Sequence, residues 1–173
     1  MPFHHVAITT RDLDATHRFY TEAMGFELVK VEAAPTTESG WARHLFYDTG
    51  NGELLAVWDI HDDGLTEYRT EISTGLGLPP WANHIAFGAD DLDDLKIRLE
   101  RWLDFGLECV RIDHGWCTSI YAEDPNGNTV EFCCTTGEVR DAGAEAMLAD
   151  PAPPLATPPQ PQFFVPEEAS AAT

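Results

Sequence analysis

The chain has 173 residues, a length that suits one compact domain or two small modules sharing a core. It carries 30 acidic and 10 basic residues, for a formal net charge of −20. Because a chain this acidic repels phosphate groups, nucleic acids and anionic membrane surfaces are excluded as partners. No apolar run approaches the ~20 residues of a membrane span, and no basic start precedes an apolar stretch. We therefore expect a cytoplasmic protein.

The first sixty residues predict the element order β-α-β-β-β. Residues 5–10 have the β-branched, apolar composition of a strand. Asp12 is placed to cap a helix that stops at Gly25, since Asp favours helix starts and Gly favours helix ends. Three further strands are predicted at 26–31, 43–48 and 53–60, and the last two form a hairpin through Thr49-Gly50-Asn51-Gly52.

The same order is predicted again further along the chain. Residues 84–87 form a strand, and Asp91 caps a helix that ends near Gly106. A strand at 107–113 and a hairpin of strands 118–122 and 128–135 complete the second copy. The hairpin turn is Asp124-Pro125-Asn126-Gly127, in which proline pre-sets one backbone angle and Asn-Gly accepts positive φ.

The two copies share a short phrase that opens with a histidine. His5-Val6-Ala7 leads to Asp12-Leu13-Asp14, and His84-Ile85-Ala86 leads to Asp91-Leu92-Asp93. The repeat predicts module 1 at 1–60, a linker at 61–81 and module 2 at 82–136. The remaining stretch, 137–173, is acidic and proline-rich, so we expect it to be largely extended or disordered. Its apolar cluster at 163–165 either docks on a neighbouring surface or remains free.

Three strand residues are candidate metal ligands. His5 and His84 occupy matching positions, and Glu131 lies among apolar neighbours, where an unpaired carboxylate is costly to bury. Two imidazoles and a carboxylate would make a facial site that leaves metal positions open. Strand alternation predicts that His4 points away from His5. The position matching Glu131 in module 1 is Ala56, or Leu55 after a one-residue slip, and neither binds metal.

This pattern resembles the vicinal oxygen chelate superfamily, whose α+β fold pairs two βαβββ modules around a metal site in the sheet concavity. That superfamily includes glyoxalase I, fosfomycin-resistance enzymes, bleomycin-binding proteins and type I extradiol ring-cleavage dioxygenases. The order of His114, Ile120-Tyr121, the Asp124–Gly127 turn and Glu131 resembles the extradiol signature. The turn and Glu131 are common to the superfamily, whereas His114 and Tyr121 are more specific. The resemblance covers residues 1 to about 136.

The resemblance implies a set of roles for individual residues. The iron ligands would be His5, His84 and Glu131, holding Fe(II), with Mn(II), Ni(II) or Zn(II) as alternatives. His114 and Tyr121 would bind the substrate oxygens, and His44 would stabilise the oxygen species, with His61 as its fallback. The implied activity is extradiol cleavage of a small aromatic diol by O2, in the catabolism of aromatic compounds. Because the familiar extradiol enzymes have four modules and this chain has two, we expect a homo-oligomer.

Alternatives remain open at each level. The second alternative is another metal enzyme of the superfamily. It could be a glyoxalase-like isomerase, which usually needs a fourth protein ligand, or a fosfomycin-resistance-like transferase, which needs neither His114 nor His44. The third alternative is a metal-free binding protein of the bleomycin-resistance type. Tyr121 could instead be a packing residue and His114 a surface residue. Three tryptophans are either walls for an aromatic ring or ordinary core and rim residues: Trp41, Trp81 and Trp116.

Overall fold

A computed structural model describes residues 3–36, 39–65 and 67–167. It shows the predicted α+β architecture, with both βαβββ runs in the predicted order. The described chain forms two compact units, one comprising residues up to Phe87 together with Ala122–Val130, and one comprising Gly88–Tyr121 with the chain from Glu131 onwards. The final part of the predicted tail, 168–173, lies outside the described residues.

The first unit contains a four-stranded sheet with the order β1-β4-β3-β2. β1 runs parallel to β4, and the β3–β4 hairpin is antiparallel, with Asn51 at φ 55° in its turn. Alternation gives this sheet two chemically different faces, because successive side chains of a strand point to opposite sides. The strands are β1 (His5–Thr10), β2 (Glu27–Pro35), β3 (Trp41–Gly50) and β4 (Glu53–His61).

One face of this sheet is buried. Helix α1 (Leu13–Arg18) continues as a π-helical turn, Phe19–Ala23, which the sequence did not predict. The predicted cap is present, since the Asp12 side chain accepts a hydrogen bond from the backbone of Ala15, and Gly25 has a positive φ of 76° after the turn. The side chains of this core are almost fully removed from water: Phe19, Tyr20, Leu45, Tyr47, Leu55 and Val57.

The predicted Asp-Pro-Asn-Gly turn belongs to the first unit. The Asp124 carboxylate is buried and accepts hydrogen bonds from the Tyr20 hydroxyl at 2.7 Å and from the backbone N–H groups of Asn126 and Asn128, both at 2.8 Å. Asn126 in turn donates to the Thr16 hydroxyl. A buried carboxylate is tolerated only when its oxygens are satisfied in this way. The turn is therefore buried, and its polar side chains are hydrogen-bonded to Thr16 of α1 and to Tyr20 of the π-helical turn.

The second sheet has five strands in the order β5-β8-β7-β6-β9. Helix α2 (Leu92–Phe105) is capped by Asp91 and ends at Gly106, with φ 99°, as the sequence predicted. Its fully buried Trp102 packs against Phe132 of the sheet, with ring centroids 5.3 Å apart. The strands are β5 (His84–Gly88), β6 (Cys109–Asp113), β7 (Cys117–Glu123), β8 (Thr129–Thr135) and β9 (Gln162–Phe164).

The described part of the tail is mostly extended, but it contains two short elements that the sequence did not predict. Helix α3 (Ala144–Ala149) interrupts it, and β9 pairs antiparallel with β6, placing Phe164 opposite Cys109. The apolar cluster thus docks on the edge of the sheet, although Phe163 remains 75% exposed. No helix in the described residues is long and apolar enough to cross a membrane.

Candidate functional site

The open face of the first sheet carries two of the predicted histidines. His5, at the start of β1, is exposed, and its ring lies 6.2 Å from that of His44 on β3. Phe46 lies on the same face, 5.8 Å from the ring of His5. The structure therefore brings together one predicted metal ligand and one predicted catalytic histidine within a single unit.

The orientation predicted for His4 was wrong. His4 precedes β1, so strand alternation does not apply to it, and its ring meets that of His5 edge to face at 5.0 Å. The two Nδ1 atoms are 2.7 Å apart, so one ring donates a hydrogen bond and the other accepts it. This contact engages Nδ1 of His5 and leaves Nε2 as the nitrogen with which it would bind a metal.

His44 is enclosed by aromatic rings. It stacks on Trp58 with centroids 3.7 Å apart and planes 9° apart, and Phe46 lies 4.2 Å away on a tilted plane. Its Nε2 is buried and has no hydrogen-bond partner among the described residues, a situation that costs about 1–3 kcal/mol in a folded protein. Burial, and secondarily the charge of His5, lowers the pKa of His44. His44 is thus a neutral imidazole with an unpaired nitrogen on the open face.

The fallback candidate His61 and the predicted wall residue Trp41 lie on the opposite face of the hairpin. His61 Nε2 is 2.9 Å from the buried Asp59 carboxylate, which Arg43 also contacts at 2.7 Å. The ring of Trp41 stacks on His61 at 4.1 Å. Because residues 41, 59 and 61 alternate with His44 and Trp58, Trp41 does not contribute a wall beside His44.

His84 begins β5 in the arrangement that metal-binding histidines commonly have. Its Nδ1 donates a hydrogen bond to the backbone carbonyl of Trp81 at 3.0 Å. In the neutral imidazole this bond fixes the lone pair on Nε2, and such a carbonyl partner orients a histidine for metal binding. The Trp81 side chain itself is 73% exposed, so its backbone rather than its indole contributes to this site.

The second unit joins the two residues of the extradiol-like motif. His114 follows β6, where Gly115 adopts a φ of 84°, and its Nε2 lies 3.0 Å from the Tyr121 hydroxyl on β7. Burial raises the pKa of Tyr121 to about 12, so the side chain is a phenol at neutral pH. The nearby Trp116 is 47% exposed, in keeping with a rim position.

Glu131 lies near this pair. It is 5% exposed on β8. Burial, and after it the charge of the Glu131 carboxylate, raises the pKa of Tyr121, in keeping with a carboxylate close to the phenol. His114 and Tyr121 thus form a hydrogen-bonded pair beside a buried carboxylate.

The donor types suit a divalent metal, but the structure does not gather them into a metal centre. Two imidazoles and a carboxylate match the ligands of non-haem iron sites. Among residues 3–36, 39–65 and 67–167, no three His, Cys, Asp or Glu side chains form a group able to hold a metal ion. The ligand set His5, His84 and Glu131 therefore remains a prediction.

Two neighbours of His44 were not predicted from the sequence. Trp58 and Phe46 flank its ring. Counting outward from the Asn51-Gly52 turn pairs His44 with Asp59, and the register shift between Asp48 and Gly50 moves its partner to Trp58.

A family model supplies the observation that classifies the chain. The model of the glyoxalase/bleomycin resistance protein/dioxygenase superfamily matches residues 3–132. The chain belongs to this superfamily. Members of the superfamily are mostly enzymes; they typically bind a divalent metal, use small substrates and commonly oligomerise. The matched region contains every candidate residue of both units.

The relatives of this chain are named for different activities. A probable lactoylglutathione lyase of Synechocystis sp. is 29% identical over 78% of this chain and 95% of its own length. Biphenyl-2,3-diol 1,2-dioxygenase 3 of Rhodococcus globerulus is 30% identical over 74% of this chain, which spans only 60% of that enzyme. A glyoxylase/bleomycin resistance protein/dioxygenase domain from Frankia sp. EAN1pec shares the fold, with a TM-score of 0.57, 20% identity, and coverage of 79% and 98%.

Proposed function

We propose that this protein is an Fe(II)-dependent extradiol dioxygenase that cleaves a small catecholic ring with O2. The observation that carries the proposal is the hydrogen bond between His114 and Tyr121 beside the buried Glu131, three residues that occupy the positions of the extradiol-like motif. The dioxygenase relative, whose name specifies an aromatic diol, supports the same substrate class.

His5, His84 and Glu131 are the proposed metal ligands. Fe(II), when bound, would supply a Lewis acid that holds both catechol oxygens and O2 next to one another. The contacts that His5 and His84 make through Nδ1 support this assignment, because a metal would then be bound through Nε2 of each ring. The same ligands also suit Mn(II), Ni(II) and Zn(II). A preference for one of these ions over Fe(II) would indicate another activity of the superfamily.

His114 and Tyr121 handle the protons of the substrate in this proposal. A catechol must lose protons to chelate through both oxygens, and a neutral imidazole is the side chain suited to accept one near pH 7. Tyr121 remains a phenol, so it donates a hydrogen bond rather than acting as a base. His114 is therefore the proposed proton acceptor, and the Tyr121 hydroxyl orients its ring.

His44 has a separate proposed role. Its Nε2 is buried and unpaired on the open face, and the ring is neutral. A neutral N–H placed there stabilises negative charge that develops during the reaction more than it stabilises the bound substrate, which is the condition for faster turnover. Removal of His44 is expected to lower kcat more than it raises KM.

A glyoxalase-like lyase is the second candidate, favoured by the relative that this chain covers over 95% of its length. One observation weighs against it. Glyoxalase I-type members usually use a fourth protein ligand, but the position on β4 that matches Glu131 is Ala56, or Leu55 after a one-residue slip. Both residues are buried, and neither has a donor atom. A fosfomycin-resistance-like transferase would require neither His114 nor His44, and a metal-free binding protein would not require His5, His84 and Glu131.

Anaerobic reconstitution with Fe(II), followed by O2 and a panel of catechols, tests the proposal. A yellow ring-opened product is expected, and Glu131→Gln should abolish both stoichiometric iron and product. Tight Mn(II) or Ni(II) binding with no product from any catechol would favour a lyase or transferase. Protein that takes up no metal would contradict every metal-enzyme assignment and favour the binding protein.

A further inference from the structure

Trp58 is directly paired with His44 across the β3–β4 hairpin. Paired side chains on one face of a sheet have Cβ atoms about 4.5–5.5 Å apart, so the register itself sets the two rings against each other. The observed stack, with centroids 3.7 Å apart and planes 9° apart, is close to face to face. Free aromatic pairs prefer offset or edge-on arrangements, so this geometry comes from the backbone frame.

Phe46 completes the enclosure from the same strand. It lies two residues beyond His44 and meets it at 4.2 Å with a 51° tilt. An imidazole held between a parallel indole and a tilted phenyl ring cannot leave its plane without a clash. The plane of the ring determines the direction of Nε2, the buried atom with no partner among the described residues.

We infer that Trp58 is a positioning residue that holds the plane of the His44 imidazole and so directs its Nε2 across the open face of the first sheet. The inference rests on the proposed function, in which His44 acts on the reacting oxygens. Trp58 then affects turnover only through the orientation of His44. Trp58 is half-buried and flanks His44, so its removal is not expected to unfold the core beneath the other face of the sheet.

The test compares Trp58→Leu, which fills space without a flat ring, with Trp58→Phe, which keeps one. Phe163→Leu, at an exposed aromatic position on β9, is the matched control. The first readout is the imidazole NMR spectrum of the metal-free protein, with His44 assigned through His44→Gln. In the wild type, the ring current of Trp58 should shift the His44 carbon-bound protons upfield. Trp58→Leu should lose that shift, and Trp58→Phe should keep part of it.

The second readout is steady-state cleavage of catechol by the Fe(II)-loaded variants. Trp58→Leu should lower kcat about tenfold with KM changed by less than about twofold, and Trp58→Phe should restore most of kcat. Unchanged His44 resonances in Trp58→Leu, or an unchanged kcat beside a lost shift, would overturn the inference. If the wild type cleaves no catechol, the proposed function fails, and the NMR readout alone then supports or overturns the positioning of His44 by Trp58.

Discussion

Nε2 of His114 lies 3.0 Å from the hydroxyl of Tyr121. A loop residue and a strand residue seven positions apart are thereby joined, close to the buried Glu131. His114 is itself exposed, so a packing role for Tyr121 and a surface role for His114 are the alternatives to a catalytic pair. The first two predictions separate their contributions.

Tyr121→Phe is expected to retain the fold while removing the hydroxyl that contacts His114. The substitution also takes a polar group away from the neighbourhood of Glu131, a proposed metal ligand. Losing a polar partner of a metal ligand typically weakens metal affinity about 10–100-fold. Iron titration of the variant measures this loss. An unchanged affinity together with unchanged turnover would show that the hydroxyl only packs against its neighbours.

His114→Ala is expected to keep iron and lose turnover by about 100-fold or more, the usual contribution of a positioned acid–base group. The comparison is with His17→Ala, because His17 is also exposed and also hydrogen-bonds a tyrosine, Tyr47, at 3.1 Å. Metal analysis and kcat should be measured on the same samples. Loss of iron from His114→Ala, but not from His17→Ala, would mean that His114 is a ligand.

The Asp124 turn supplies a prediction about stability. Asp124→Ala leaves the Tyr20 hydroxyl and two backbone N–H groups without their acceptor in a buried site, at a cost of about 3 kcal/mol in the free energy of unfolding. Asp124→Asn keeps one oxygen and should cost less. Urea denaturation of both variants measures the difference. Equal stability of Asp124→Ala and the wild type would show that the network does not stabilise the first unit.

Much of this fold could be predicted because the signals are local. The helix caps Asp12 and Asp91 and the ends at Gly25 and Gly106 depend on backbone geometry within one turn, and all four are present. The repeated histidine phrase predicted β1 and β5 correctly for a similar reason. Each of these features needs only neighbouring residues to be recognised.

The features that the sequence did not predict depend on partners distant in the chain or on local irregularity. Strand β9 forms only because β6 offers an open edge to a segment about fifty residues later. The ring of His4 turns to His5 because the strand begins one residue after it. The pairing of His44 with Trp58 required the hairpin register, whereas the predicted walls were chosen by residue type alone. Of the candidate site, each unit's own contacts are established, and the ligand set stays a prediction.

The tyrosines make a prediction about alkaline pH. Burial raises the pKa of Tyr47 and Tyr121 from the ordinary 10 to about 12, and burial together with Asp124 raises that of Tyr20 well above 10. Because the folded chain then keeps these protons longer than the unfolded chain, their contribution to stability is complete below pH 10 and is lost as the pH rises from 10 towards 12 and beyond.

Absorbance of the phenolate during an alkaline titration measures this behaviour. The native protein should show these three tyrosines, of the four in the chain, ionising together with unfolding rather than near pH 10. The unfolded protein in denaturant provides the control, since all four should ionise near the ordinary value there. Simple titration of all four near pH 10 in the folded protein would contradict the burial described for Tyr20 and Tyr47.

The central claim is that the chain directs O2 into a catechol ring. Fe(II)-loaded protein should be mixed with catechol under isotopically labelled O2, and the ring-opened product analysed by mass spectrometry. The proposal predicts a product that carries both labelled oxygen atoms, formed by the wild type and not by Glu131→Gln. A fully loaded protein that leaves catechol intact, or that gives a product without the label, would contradict it.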